Sequence, residues 1–97
     1  MPIMLIIAGT LRVDAADRAA YLDLVARATA MARETPGCLD FAQSPDPLEA
    51  DRINIFERWE SDAALQTFRD LPSEEEPVPP IRAAEVRRYR ISSIEDA

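Results

Sequence analysis

Along the first thirteen residues apolar side chains fill nearly every position, with Ile3, Leu5, Ile7, Leu11 and Val13 on one parity and Met4, Ile6 and Ala8 on the other. β-Branched and aliphatic residues in such a run predict a strand over Ile3 to Val13, and apolar residues on both parities predict that both of its faces are covered. The period then changes. From about Ala15, the residues Tyr21, Leu24, Val25, Ala28, Met31 and Ala32 recur at i, i+3, i+4 and i+7, which is the stripe of an amphipathic helix. Asp17, Arg18, Asp23, Arg27 and Arg33 lie mostly opposite. Asp14 stands at the N-cap, Asp17 brings negative charge to the first turn, and Asp14 with Arg18 and Asp23 with Arg27 have the spacing of i, i+4 ion pairs. Thr35-Pro36-Gly37 stops the helix, because a residue before proline leaves the α region and glycine accepts positive φ.

Alternation resumes from Leu39 to Ser44, where Leu39, Phe41 and Gln43 oppose Asp40, Ala42 and Ser44. Two prolines and three acids between Pro45 and Asp51 make a loop. Arg52 to Trp59 is a third strand with Ile53, Ile55, Glu57 and Trp59 on one parity. Ser61 then caps a second helix, Asp62 to about Leu71, whose inner side uses Ala64, Leu65, Phe68 and Leu71. Pro72 to Pro80 holds four prolines and the run Glu74-Glu75-Glu76, an extended and solvated connection. The last strand, Ile81 to Ile91, puts Ile81, Ala83, Tyr89 and Ile91 on one parity and Arg82, Arg88 and Arg90 on the other.

The order β-α-β-β-α-β is the ferredoxin-like α+β plan, a four-stranded antiparallel sheet with two helices on one face. Residues 1–97 form one domain with its core between 3 and 91 and the proline/glutamate loop at 72–80. Helices on one face leave the other bare. Its apolar content predicts a homodimer closed through the open sheet face.

Composition narrows the chemistry. The net charge of -7 disfavours nucleic acid and anionic membrane surfaces as partners. No apolar run approaches the roughly 18 residues of a membrane helix, and the N-terminal apolar stretch has no basic flank, so a strand and a cytoplasmic address are expected rather than a signal peptide. The chain has no histidine and a single cysteine. It therefore lacks the commonest transition-metal ligand and general base, and Cys38 reads as a small core residue with no imidazole to activate it. Two glycines supply no phosphate cradle. Neither cofactor nor metal is expected.

Two segments say more than the rest: Glu34-Thr35-Pro36-Gly37-Cys38-Leu39, and Phe56-Glu57-Arg58-Trp59-Glu60-Ser61-Asp62-Ala63-Ala64-Leu65. At this spacing the chain, from about Ile3 to Ile91, resembles the antibiotic biosynthesis monooxygenase family, dimeric α+β barrel proteins that include cofactor-independent quinol and anthrone oxygenases. The resemblance implies a cavity between sheet and helices with Trp59 beside it, where the ring stacks on a planar aromatic molecule or simply anchors the strand-to-helix corner. Glu57 shares the parity of Trp59, Ile53 and Ile55. Among apolar neighbours its carboxylate could take a phenolic proton, or it could pair with Arg88 or Arg90.

Glu57 and Trp59 are thus the catalytic candidates, and Tyr21, Phe41, Asn54, Ile55 and Phe68 the substrate-binding ones. Some members hold a substrate oxygen with an asparagine four residues before the Trp, a position filled here by Ile55. Asn54 has the opposite parity and reaches the cavity only through a β-bulge. Haem-degrading members rely on a strand-one asparagine and a histidine on the second helix, where this chain has Gly9-Thr10 and Phe68, so that activity is disfavoured. Two functions are expected from the resemblance: a cofactor-independent monooxygenase acting with O2 on an electron-rich phenolic or quinol-type compound, or a non-catalytic dimeric protein of the same fold, either binding a small hydrophobic or aromatic ligand or serving as an accessory subunit.

Overall fold

The computed structural model describes residues 3–72 and 77–97. Its elements are β1 (Met4–Val13), a 3-10 turn (Ala15–Asp17), α1 (Arg18–Glu34), β2 (Cys38–Pro45), β3 (Arg52–Trp59), α2 (Asp62–Arg69) and β4 (Ile81–Ile91). The strands form one sheet in the order β2-β3-β1-β4, every neighbouring pair antiparallel. This is the expected ferredoxin-like arrangement, and the two crossovers place α1 and α2 on one face.

Alternation decides what that face buries. Leu5, Ile7, Leu11 and Val13 of β1 and Ile53, Ile55, Glu57 and Trp59 of β3 all point inward and are buried. They divide into two clusters. One joins Leu5, Ile7, Phe41, Trp59, Ala32 and Leu65; the other joins Leu11, Val13, Ile53, Ile55 and Tyr21, and Val86 packs on both. Gly9 lies between them on the central strand, in the row Gln43, Ile55, Gly9, Val86. A Cβ at Gly9 would run into the backbone oxygen of Glu85, so the close approach of β4 to β1 requires glycine there.

Gly37 has the same significance for the two segments that carry the resemblance. With φ +89 it ends the turn after α1, and a Cβ on it would come within 2.5 Å of the Ala64 Cβ on α2. Its carbonyl accepts the Glu60 N–H at 2.8 Å, and Cys38 lies opposite Trp59 in the sheet. The Pro-Gly-Cys turn and the Trp-Glu-Ser corner are therefore one contact, made by two parts of the sequence. Ser61 Oγ accepts the Ala64 N–H at 3.1 Å, the expected N-cap of α2, contributing about 1 kcal/mol.

Four local expectations are corrected. Leu39 does not share the inward face of Phe41: the β2/β3 register shifts between Cys38 and Asp40, a bulge that turns Cys38 toward the core and leaves Leu39 41% exposed. The helical stripe begins later than Ala15, since the chain first makes the 3-10 turn. Asp14 occupies the cap position without a side-chain cap bond, and its carboxylate binds Arg82 instead of Arg18. Arg18 reaches across to the carbonyls of Asp46, Glu49 and Arg52, tying the start of α1 to the hairpin. Finally α2 stops at Arg69, two residues early, because Pro72 cannot extend the helix and the Asp70 and Leu71 N–H groups fold back on the carbonyls of Gln66 and Phe68. Pro72 and residues 77–80 carry no regular structure, and the Glu74–Glu76 run lies outside the described residues.

The outward face of the sheet bears Met4, Ile6 and Ala8 of β1, Phe56 of β3 and Tyr89 and Ile91 of β4, a contiguous apolar strip that no described element covers. No helix among the described residues is long and apolar enough to cross a membrane.

Candidate active site

Glu57 is the one carboxylate that the fold turns inward on β3. Strand parity puts it under the helices, flanked along β3 by Ile55 and Trp59 and across the sheet by Phe41 and Ile7, and it is 9% exposed. The Trp59 Nε1–H donates to Glu57 Oε1 at 2.9 Å. Two residues apart on one face of a strand, the indole and the carboxyl satisfy each other's polar atoms inside the core, and hydrogen bonds to a charged group are worth about 1.5–3 kcal/mol. Burial pushes the Glu57 pKa above the ordinary carboxylate value; the Trp59 bond and the charge of Arg69 pull the other way without cancelling it. A carboxyl in this setting is a stronger base than a solvated one and is held at a fixed angle.

The expected partners of Glu57 are elsewhere. Arg88 Nη1 and Arg90 Nη1 each bind one oxygen of Asp62, both at 2.7 Å, tying β4 to the first turn of α2. The row Phe41, Glu57, Ile7, Arg88 does place Arg88 on the same face, two strands from Glu57, but Asp62 at the helix N-terminus draws it away. Among the described residues Glu57 makes no ion pair.

Trp59 is fully buried, and one face of its ring is already occupied. Phe68 of α2 stacks on it with ring centroids 5.5 Å apart and an interplanar angle of 27°, and Phe41 meets Phe68 edge-on at the same distance. Such pairs add about 0.5–1.5 kcal/mol each beyond their area burial. Trp59 is thus a core anchor and the orienting donor of Glu57, and Phe68 is the aromatic residue that faces outward from the cluster. Phe68 also lines a depression of about 180 Å³ with Met31 and Arg69, and a second of about 280 Å³, lined by Glu34, Thr35 and Thr67, shares Met31 and Leu71 with the first. Together they form a groove between α1 and α2.

Phe41, Glu57, Trp59 and Phe68 are therefore brought together. Tyr21 and Ile55 belong to the other cluster; Ile55 still flanks Glu57 along β3, whereas Tyr21 reaches that cluster from α1, where burial raises its pKa. Asn54 is not in the site. No bulge occurs between it and Trp59, so it faces outward, where its Oδ1 accepts from Arg52 and its Nδ2 donates to Asp46. Cys38 packs against the cluster as expected for a small core residue, and burial, with the Glu57 charge behind it, raises its thiol pKa.

One inward polar residue escaped the candidate set. Gln43 lies beside Ile55 and two residues from Phe41, and its Oε1 is buried with no hydrogen-bond partner. A buried amide oxygen left without a donor is costly, and a hydroxyl-bearing molecule would satisfy it. Its parity with Phe41 was readable in the sequence; that no neighbour would satisfy it was not. Among the described residues no three His, Cys, Asp or Glu side chains gather as a metal set.

The sequence profile of the antibiotic biosynthesis monooxygenase family matches residues 4–75. The chain is similar in structure to a candidate antibiotic biosynthesis monooxygenase of Deinococcus radiodurans, with a TM-score of 0.81 at 22% identity over 96% of this chain and 97% of the other. A second candidate of that family, from Chloroflexus aurantiacus, gives a TM-score of 0.75 at 25% identity with the same coverage. The haem degrader MhuD of Mycobacterium tuberculosis, solved with two haems in its active site, gives 0.65 at 19% identity over 96% of this chain and 99% of the other. No protein of curated function matches the sequence.

Proposed function

The chain belongs to the antibiotic biosynthesis monooxygenase family, and from that membership we propose that it is a monooxygenase oxidising an electron-rich phenolic or quinol-type small molecule with O2, without metal or flavin. The observation that carries this reading is the inward Glu57 carboxyl, fixed by Trp59 Nε1 and held above its ordinary pKa by burial.

In this reading the substrate is itself the reductant. Glu57 takes the phenolic proton, the resulting anion passes one electron to O2, and the two radicals combine at a ring carbon as a peroxide. Heterolysis of the O–O bond leaves one oxygen as the quinone carbonyl; the other departs as water, taking the proton back from Glu57 together with the hydrogen lost from that carbon. The protein supplies a base, an apolar enclosure and orientation. Trp59 holds the carboxyl in place and does not stack on the substrate, because Phe68 already covers its ring. Phe41 and Phe68 line the site, and Gln43 Oε1 accepts a substrate hydroxyl. The absence of histidine from the chain keeps haem degradation disfavoured. We further propose that the working form is a homodimer closed through the outward apolar strip of Ile6, Phe56 and Tyr89.

The test is O2 uptake by purified protein over a panel of hydroquinones and anthrones, with Glu57→Gln alongside. We expect uptake above the buffer rate for at least one compound and a fall of roughly 10²-fold or more in the variant, the usual size of a lost general base. A panel that gives no uptake beyond buffer, or a variant as fast as the parent, overturns the reading. Binding without uptake would point to the second function of the same fold, a small-ligand carrier.

A further inference from the structure

Phe68 belongs to two places at once. Its inner side packs on Trp59 and Phe41, and its outer side forms the wall of the α1–α2 groove. The next residue, Arg69, lines the same depression and is exposed. Every other described arginine except Arg58 and Arg87 either has a hydrogen bond or an ion pair to a named group or, in the case of Arg27, makes an interaction of its own. Arg58 and Arg87 have the outward parity of the sheet. Among the described residues Arg69 is thus the guanidinium on the helix side that makes no hydrogen bond at all, and it sits at the apolar groove. It is also near enough to Glu57 to favour the charged carboxylate from outside the core. In the depression lined by Phe68, an aromatic ring, Met31 and a guanidinium with no hydrogen bond are complementary to a flat ring carrying a negative group, and the acid Glu34 lines the adjoining depression instead.

We propose that the groove between α1 and α2 is a binding site for an aromatic acid, whose ring lies against Phe68 and Met31 and whose carboxylate is held by Arg69. This deepens the oxygenase reading and rests on it only for what happens next. A ring bound there has Phe68 between it and Trp59, the donor to Glu57, so Phe68 must turn aside for turnover while binding requires no such movement. Arg69 then selects acids over neutral phenols of the same shape, and its charge shares in stabilising the phenolate that Glu57 generates.

Two probes that differ only in a carboxylate decide the matter: 2,5-dihydroxybenzoate and hydroquinone, titrated calorimetrically into the full chain, its Arg69→Gln variant and its Arg69→Lys variant. The acid is expected to bind about tenfold more tightly than hydroquinone to the parent, to lose that preference in Arg69→Gln, and to retain part of it in Arg69→Lys. Far-UV circular dichroism of the variants confirms that an exposed helix residue has been changed without loss of fold. Equal affinity of the parent for both probes, no heat with either, or a preference that survives Arg69→Gln overturns the proposal. O2 uptake is read separately: selective binding without uptake leaves this site standing and removes the oxygenase reading, whereas hydroquinone uptake with no acid preference does the reverse.

Discussion

The two ends of the molecule treat a carboxylate in opposite ways. At the Trp59 end Glu57 faces the helices, meets one neutral donor, and burial lifts its pKa. At the β2–β3 hairpin Asp46 faces the open side, accepts from Asn54 Nδ2 and from the N–H groups of Leu48 and Glu49, and is held down at about 2, with Arg52 nearby. One lies in the loop just after β2, the other on β3. Several hydrogen bonds to the ionised form depress a carboxyl, and desolvation with a single donor raises it. The hairpin carboxylate is therefore structural, ordering the loop around Pro47. The inward one is the base of the proposed reaction.

The largest expected effect is at the Trp59 end. Trp59→Ala should cost about 3–5 kcal/mol, since it empties the centre of one cluster, unstacks Phe68 and strips Glu57 of its donor at once. Urea unfolding measures this; a cost below about 1 kcal/mol would mean the two ends of the core are not packed as unlike regions.

Glu57→Gln sharpens the contrast through pH. The folded-state pKa of Glu57 lies above its ordinary 4.5. Its contribution to stability is then fully present below about pH 4.5 and is lost as pH rises through the higher folded value. Relative to the parent, Glu57→Gln should gain stability as pH rises from 4 to 8. Paired denaturation curves across that range check the sign, and a gap between them that stays constant with pH would show that Glu57 is not desolvated.

The smallest effect is expected at the hairpin, with the opposite sign. Asp46 falls from an ordinary 3.8 to about 2 in the fold, so its contribution is present above 3.8 and disappears as pH drops toward 2. Asp46→Asn should therefore narrow its stability deficit against the parent between pH 4 and pH 2. A deficit that widens there would break the comparison.

Much of the fold was legible in the residues. The strand-one pattern with two apolar parities anticipated a helix-covered face and an outward strip, and the parity of Ile53, Ile55, Glu57 and Trp59 placed all four correctly inside. Pairing was harder to read. Arg88 and Arg90 have the parity to meet Glu57, yet Asp62 lies closer to their reach once α2 has docked. Leu39 and Cys38 exchange roles through a bulge that depends on how β2 meets β3.

The sequence by itself determined the order of elements, the inward position of Glu57, and the family to which the chain belongs, because periodicity, caps and proline positions are local properties that survive in any fold with this pattern. Only the tertiary structure decided that Trp59 Nε1 takes the Glu57 oxygen, that Phe68 covers the Trp59 ring, that Asn54 looks the other way and that Gln43 is left unsatisfied. Each of these depends on which of several competing partners a side chain reaches when distant segments pack. That competition is settled by distances of a few ångström between residues that the sequence does not place side by side.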